Sequence, residues 1–514
     1  MSGTKFHAAV HRSADFGGVL WRGFVLAVFL MAGQAASAHE GEHGHSPRFS
    51  PPDASSAPKA APAGRRWLAG DHHVHSWFSG SWTPSADGKA PPTPVLGGDA
   101  SNTIPTNARM ALKHGLSWMV ATDHGGQNHS KVSRDQAYPE LLLSRRQNGK
   151  LIQFFGMELD TPGAEHSSVI VPRTAREREV LFGIESGYNR RERWPADPAW
   201  DSEARMVEAL KHMRAITPAP VVIVNHPSRT ATAVGAYGLV TPRELRNWND
   251  AAPEVAVGME GAPGHQASSF TPGHALKGAR GAYQSSPTLG GFDQMTARVG
   301  GFWDSMLGEG RRWWVTSTSD SHRHYTDGGI DFWPGEYSKT YVKAAPDPAD
   351  VLDGLRQGRV FVTLGDLVSE LDVIVQSVDG RSRAEMGGEV TVTPGSDVVI
   401  VVRLRDPAGR NHGGRTPEVA RVDLISGEIT GPATDRGADI NSSTRVVRRF
   451  TARDWVRDGE HISMAYTIRN VTGPMYVRVR GTNGLEPEPS PDTAAEDPWS
   501  DLWFYSNPIF IAVR

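Results

Sequence analysis

The chain has 514 residues, a formal net charge of -3, 20 histidines and no cysteine. The near-neutral charge gives no electrostatic footprint for nucleic acid or an anionic membrane. Without thiols there are no disulfides, zinc fingers, thiolate metal sites or cysteine nucleophile, so any metal must be held by His, Asp and Glu.

The N-terminus has the features of an export signal. Lys5, Arg12 and Arg22 accompany an apolar run at 24–32 (FVLAVFLMA) that is short for a membrane span. Ala36-Ser37-Ala38 fits a small-x-small cleavage site. Residues 1–38 are therefore assigned to a signal peptide, which predicts a periplasmic or secreted protein with no stable membrane partner. An uncleaved anchor is the competing reading. Residues 39–45 (HEGEHGH) form a His/Glu tract, and 39–65 as a whole is a His/Pro/Ala-rich linker.

Between residues 66 and 366 the pattern alternates helix and strand. A helix is expected over 107–114 with Gly115 as its cap, then strands over 116–122 and 151–157. A helix over 202–214 precedes a strand at 221–224, and further strands follow at 255–259 and 313–318. Such repeats imply a parallel sheet or α/β barrel with functional residues at the carboxyl ends of the strands. Residues 87–103, 180–201 and 262–300 are expected to be long irregular walls over the site. From 367 to 514 the chain turns to regularly spaced β-type runs, which predicts a sandwich-like accessory domain. His412 and His461 stand alone there and are expected at the surface.

The chemistry concentrates at the strand ends. The first stretch is Asp71-His72-His73-Val74-His75, where strand alternation puts Asp71, His73 and His75 on one face and His72 on the other. Later come Thr122-Asp123-His124-Gly125, Gly156-Met157-Glu158 with Glu165-His166-Ser167, Val224-Asn225-His226-Pro227, and Ser319-Asp320-Ser321-His322. Buried charged groups are costly unless paired or metal-bound, so packing alone does not account for the repetition.

In this order the stretches DHHVH, ATDHG, GMEL with EHSSVI, VNHP and STSDSH resemble the motifs of the polymerase and histidinol phosphatase (PHP) metallohydrolases. Within that superfamily the arrangement is similar to the CehA/McbA-like branch, which includes a carbamate hydrolase; the closing run SNPIFIAV adds to the likeness. The resemblance covers about residues 66–366. It implies a distorted (β/α)7 barrel carrying two or three divalent ions (Zn, Mn, Fe or Co). It further implies that His73, His75 and Asp320 hold a first metal, that Glu158 bridges to a second completed by His166 and His226, and that His124 and His322 belong to a third. A long insertion follows His75, and Asp87 and Asp99 are both candidates to complete the third site. Asp71 is then expected to orient an imidazole.

The function expected is hydrolysis of small organic phosphate or phosphonate esters by a metal-bound hydroxide. Asp320 is the expected proton acceptor, His322 or His124, if not tied to a third metal, the donor to the leaving group, and Arg229 the holder of an anionic oxygen. His265 would line the site and Glu260 would support it. The alternative is a carbamate or carboxylic ester hydrolase, favoured if Trp77, Phe78 and Trp82 wall the pocket. A binding module with a degenerate site is the reading from another class, and the complete ligand set argues against it.

Overall fold

The strands of the computed structural model follow the apolar runs of the chain, and residues 64–271, 280, 281, 283 and 286–514 are described. The expected signal peptide and the His/Glu tract lie outside these residues. No helix among the described residues is long and apolar enough to cross a membrane.

The first half runs β1 (Arg66–Asp71), β2 (Ser81–Thr83), β3 (Thr93–Val95), α1 (Ile104–Lys113), β4 (Trp118–Ala121), α2 (His129–Val132), α3 (Tyr138–Gln147), β5 (Ile152–Asp160), β6 (His166–Val171), α4 (Glu177–Tyr188), α5 (Glu203–Arg214) and β7 (Val221–Val224). It continues with α6 (Pro242–Ala251), β8 (Ala256–Ala262), α7 (Gln294–Ala297), α8 (Phe302–Gly308), β9 (Trp314–Ser317), β10 (Ser338–Ala344), α9 (Pro348–Arg356) and β11 (Val360–Leu364). Local chemistry sets the helix starts. Thr103 caps α1 with Pro105 in its first turn, so the helix begins three residues before the expected 107. Thr241 and Glu244 form a reciprocal capping box on α6. The fully buried residues of α5 are Met206, Ala209, Leu210 and Met213, a single face.

The sheet is mixed, not wholly parallel. Its path includes β10-β1-β4-β5-β6-β7-β8-β9. β1, β4 and β5 are parallel neighbours, as are β7, β8 and β9, but β6 is antiparallel to both β5 and β7. The connection 161–165 is too short for a crossover helix, so β5 turns directly back into β6. β5 also runs on to Asp160, which places Glu158 within the strand instead of at its end. Past the strand ends, Val74 bridges to Ser321, so the continuations of β1 and β9 meet. The expected irregular stretch 180–201 begins as helix α4, and the first insertion contains the β2–β3 hairpin.

The second half contributes β12 (Glu370–Ser377), β13 (Arg383–Glu385), β14 (Glu389–Val392), β15 (Ser396–Arg405), β16 (Arg421–Glu428), β17 (Arg445–Phe450), β18 (Val456–Asp458), β19 (His461–Val471), β20 (Met475–Thr482), β21 (Trp503–Ser506) and β22 (Ile509–Val513). β13-β12-β15-β19-β18 form a separate antiparallel sheet. Alternate residues Val398, Ile400, Val402 and Leu404 of β15 are buried, as expected of a strand packed on one face. β14, β16, β17, β20, β21 and β22 instead extend the large sheet through β11, which pairs with β21.

Polar side chains fasten the two halves. Asn507, in the closing SNP run, accepts from Val315 N at 2.9 Å and donates to Val315 O at 3.1 Å and Val360 O at 3.2 Å. Its amide thus stands in for a strand neighbour beside β9. Buried Asp304 on α8 receives Arg478 of β20 through two bonds of 2.8 and 2.6 Å, and the hydroxyl of Tyr476. Breaking one member of such a pair would strand a buried charge.

Candidate metal centre

Asp71, the last residue of β1, accepts the backbone N–H of His73 at 3.0 Å and that of Ser319 at 3.1 Å. It ties the first motif to the last and orients backbone, not an imidazole as expected. Burial pushes its carboxyl up to about 7 against those hydrogen bonds. His72 points away into the interior, 3.1 Å from Ser168 Oγ and 2.8 Å from Thr316 Oγ1, and burial lowers it to about 4, so it is neutral.

His73, His75, Glu158 and Asp320 converge, and all four are buried. His73 Nε2 lies 3.1 Å from Glu158 Oε1 and 3.0 Å from Asp320 Oδ1; His75 Nε2 lies 3.3 Å from Glu158 Oε2 and 3.1 Å from Asp320 Oδ1. The two Nε2 atoms are 3.0 Å apart. The outer nitrogens are committed elsewhere. His73 Nδ1 donates to Glu260 Oε1 at 2.7 Å, and His75 Nδ1 donates to Ser79 Oγ at 3.0 Å, whose own proton goes to Asp99. In the neutral imidazoles both Nε2 atoms therefore present lone pairs to the same point, which calls for a cation between them. Tetrahedral zinc with ligands about 2.0 Å away has ligand–ligand edges of about 3.3 Å, close to this spacing.

Glu158 is shared. Its Oε1 also lies 3.1 Å from His166 Nδ1 and 3.0 Å from His226 Nε2, which makes a second group of three. Asn225 Nδ2 donates to the same oxygen at 3.0 Å. A third group gathers His75, Asp99, His124 and His322, with His322 Nε2 3.3 Å from Asp99 Oδ2. Of the two open candidates, Asp99 is the one present; Asp87 is exposed and accepts from Lys89 N and Ser85 Oγ in its own turn.

Several buried atoms here meet a neighbouring ring or carboxylate without an aligned hydrogen bond among the described residues: Glu158 Oε2, Asp320 Oδ1, and Nδ1 of His124, His166 and His226. Orphaned donors and acceptors at this density fit metal ligation. The electrostatics agree. Burial alone would neutralise Glu158 and Asp320, but the facing imidazoles outweigh it and hold both carboxyls well below the usual range. Burial likewise opposes charge on His73, yet Asp320, Glu158 and Glu260 hold it well above its ordinary value. Burial holds His124 and His226 below their ordinary values instead, so the carboxylates favour a cation at His73 but not at every imidazole. The centre also carries backbone strain: of six non-glycine residues with positive φ among those described, His226, Asp320 and His265 belong to it. Such conformations cost on the order of 1–3 kcal/mol each and persist where the surroundings enforce them.

A cleft of about 1010 Å³ opens over the groups, reaching Asp99, His124 and His166. Arg190, Arg191 and Arg229 line it together with Glu165, Asp197 and Asp201, Arg190 pairing with Asp201 at 3.5 Å, and Trp82 is its aromatic member. Arg191 is ion-paired with buried Asp160, whose Oδ1 is 3.5 Å from His166 Nε2. Arg229 is exposed and makes no side-chain hydrogen bond or ion pair among the described residues. Of the three aromatics that would wall a carbamate pocket, Trp77 and Phe78 do not line the cleft. Trp77 donates to Glu140, and Phe78 is buried in the core. His412 and His461 stand outside the cluster; His412 packs on His114.

Glu260 and His265 both reach the ligands, Glu260 at His73 and His265 at Asp320. Sequence reasoning did not single out Ser79, Asp160, Asn225, Arg191 or Asp331. Asp160 had a usable signal, since it stands two residues after Glu158 and shares its face of the strand. Arg191, in an irregular charged stretch, had none. No family model matches the chain, and no curated protein matches it.

Proposed function

We propose that the protein is a metal-dependent phosphoesterase of the PHP type, acting on small organic phosphate or phosphonate esters, with β1 to β9 as its distorted barrel. The observation that carries this reading is Glu158, which is shared between two ligand groups and contacts His124 and His166, both lining a cleft that also presents Arg229, unpaired among the described residues. His73, His75, Glu158 and Asp320 would hold one divalent ion, His166 and His226 with Glu158 a second, and Asp99, His124 and His322 a third. Bound ions supply Lewis acidity toward phosphoryl oxygens and lower the pKa of a coordinated water.

The chain's own groups do the rest. Arg229, unpaired among the described residues, provides positive charge for non-bridging oxygens, whereas Arg191 is compensated by Asp160; guanidinium geometry suits a phosphoryl group. Asp320 faces the ligand cluster through Oδ1 and would serve as a ligand; with Oδ2 2.7 Å from His265 Nε2, it has no free oxygen for the proton-acceptor role expected of it. Burial, with His75 and His166 nearby, holds His124 well below its ordinary pKa despite Glu158. That favours a ligand role for His124; His322 is the proposed donor to the leaving group where no third ion occupies it. The volume of the cleft leaves room for an organic substituent beside Trp82.

Carbamate or carboxylic ester hydrolysis is the second reading, and Trp82 is what favours it. An aryl carbamate needs an apolar wall more than it needs three arginines. The test is turnover of bis(p-nitrophenyl) phosphate, p-nitrophenyl phosphate and an aryl N-methylcarbamate by metal-reconstituted protein. Hydrolysis of a phosphate ester is expected, with Arg229→Met raising its KM. Turnover of the carbamate alone would overturn the reading.

A further inference from the structure

His265 reaches the ligand cluster from the segment after β8, and its two ring nitrogens face two carboxylates. Nε2 lies 2.7 Å from Asp320 Oδ2, and Nδ1 lies 2.5 Å from Asp331 Oδ1. Asp331 is itself anchored, because its Oδ2 accepts the backbone N–H of His322 at 2.7 Å and of Arg323 at 3.0 Å. Asp320 is thereby divided. Oδ1 faces His73 and His75 and has no hydrogen-bond partner, while Oδ2 is taken up by His265.

The backbone is shaped to permit this contact. His265 has φ 60°, a left-handed conformation uncommon for a residue with a side chain. At Gly264 a Cβ would meet Asp320 Cβ and Ser319 O at 2.1 Å each, so only glycine allows the segment to lie against the ligand. His265 N also donates to Ser319 O at 3.4 Å.

We infer that His265, held by Asp331, is a positioning residue that fixes Asp320 as a one-oxygen ligand of the metal cluster. A carboxylate left free to rotate could offer both oxygens or neither; one oxygen engaged by a fixed imidazole presents the other in a set direction. Partners of this kind are worth about 10- to 100-fold in metal affinity or activity. The inference rests on Asp320 as a metal ligand but not on the phosphoester reading, because the readout is metal binding itself.

The test compares His265→Ala, His265→Gln, Asp331→Asn and Gly264→Ala in the full chain. Zinc affinity is measured by chelator competition, and imidazoles per zinc by X-ray absorption. His265→Ala is expected to weaken zinc retention about 10- to 100-fold with the imidazole count unchanged. His265→Gln, whose amide still donates one N–H, should recover part of the loss. Asp331→Asn puts an amide opposite two N–H donors and should weaken retention with His265 intact, as should Gly264→Ala. If His265→Ala does not fold, the Gln and Asn variants, which nearly preserve volume, decide the matter. Wild-type affinity in both would overturn the inference. So would loss of one imidazole per metal on removing His265, which would make it a ligand. If instead no ester turns over while the affinity pattern holds, the proposed function fails and this inference stands.

Discussion

Glu260 joins two ligand groups through one carboxylate: Oε1 lies 2.7 Å from His73 Nδ1, and Oε2 accepts the backbone N–H of His226 at 2.6 Å. Thr318 also donates to Oε1 at 2.7 Å. One side chain on β8 thus sets the ring of one candidate ligand and the backbone of another, and fixes the tautomer that aims His73 Nε2 inward.

Glu260→Gln should therefore disturb both groups together. A glutamine has one acceptor oxygen and cannot accept at both ends. Metal affinity is expected to fall about 10- to 100-fold, measured by chelator competition, with more than one ion affected. Unchanged stoichiometry and affinity would show that the carboxylate does not govern the ligands.

Asp99 and Asp87 should separate cleanly. Asp99→Ala removes a carboxylate 3.3 Å from His322 Nε2, whereas Asp87 touches only its own turn. Elemental analysis should show lower metal content for Asp99→Ala and wild-type content for Asp87→Ala. Equal content in both would remove Asp99 from the third group.

Chelation should destabilise the protein. The cluster holds lone pairs and carboxylates facing one another at about 3 Å, and a ligand present at 100 times its Kd adds about 2.7 kcal/mol to folding. The melting temperature should drop on EDTA treatment and recover when a divalent ion is added back. A melting curve insensitive to both would argue that the cluster is held by protons alone.

A separate acid sensitivity is expected at His114. Burial lowers this imidazole to about 4 from an ordinary 6.5, and the charges of His412, Lys113 and Lys339 add to the effect against Glu336. Its folded pKa lies below its unfolded one, so unfolding takes up a proton. Its contribution is complete above pH 6.5 and is lost as pH falls toward 4, on the order of 1 kcal/mol per pKa unit. His114→Gln should flatten the pH dependence of the melting temperature across that window. An unaltered slope would mean the residue titrates normally in the folded chain.

The convergence of these side chains was readable from residue order because the candidate ligands stand at the ends of apolar runs. His73, His75, His124, His226, Asp320 and His322 each follow an apolar stretch, while His166 opens β6, whose antiparallel direction brings its start to the same edge. Glu158 was legible as well, although it lies inside β5. The exclusion of His72 also followed from alternation, even though β1 ends at Asp71 and the next residues are not strand. What the one-dimensional pattern could not hold was the direction of β6, since a short turn and a long loop can follow the same run of apolar residues. Nor could it choose Asp99 over Asp87, assign Glu260 to His73, or bring Asp331 to His265. Those choices depend on which loops fold back over the sheet edge and at what distance. A hydrogen bond is decided within a few tenths of an ångström, and only the packed chain specifies that.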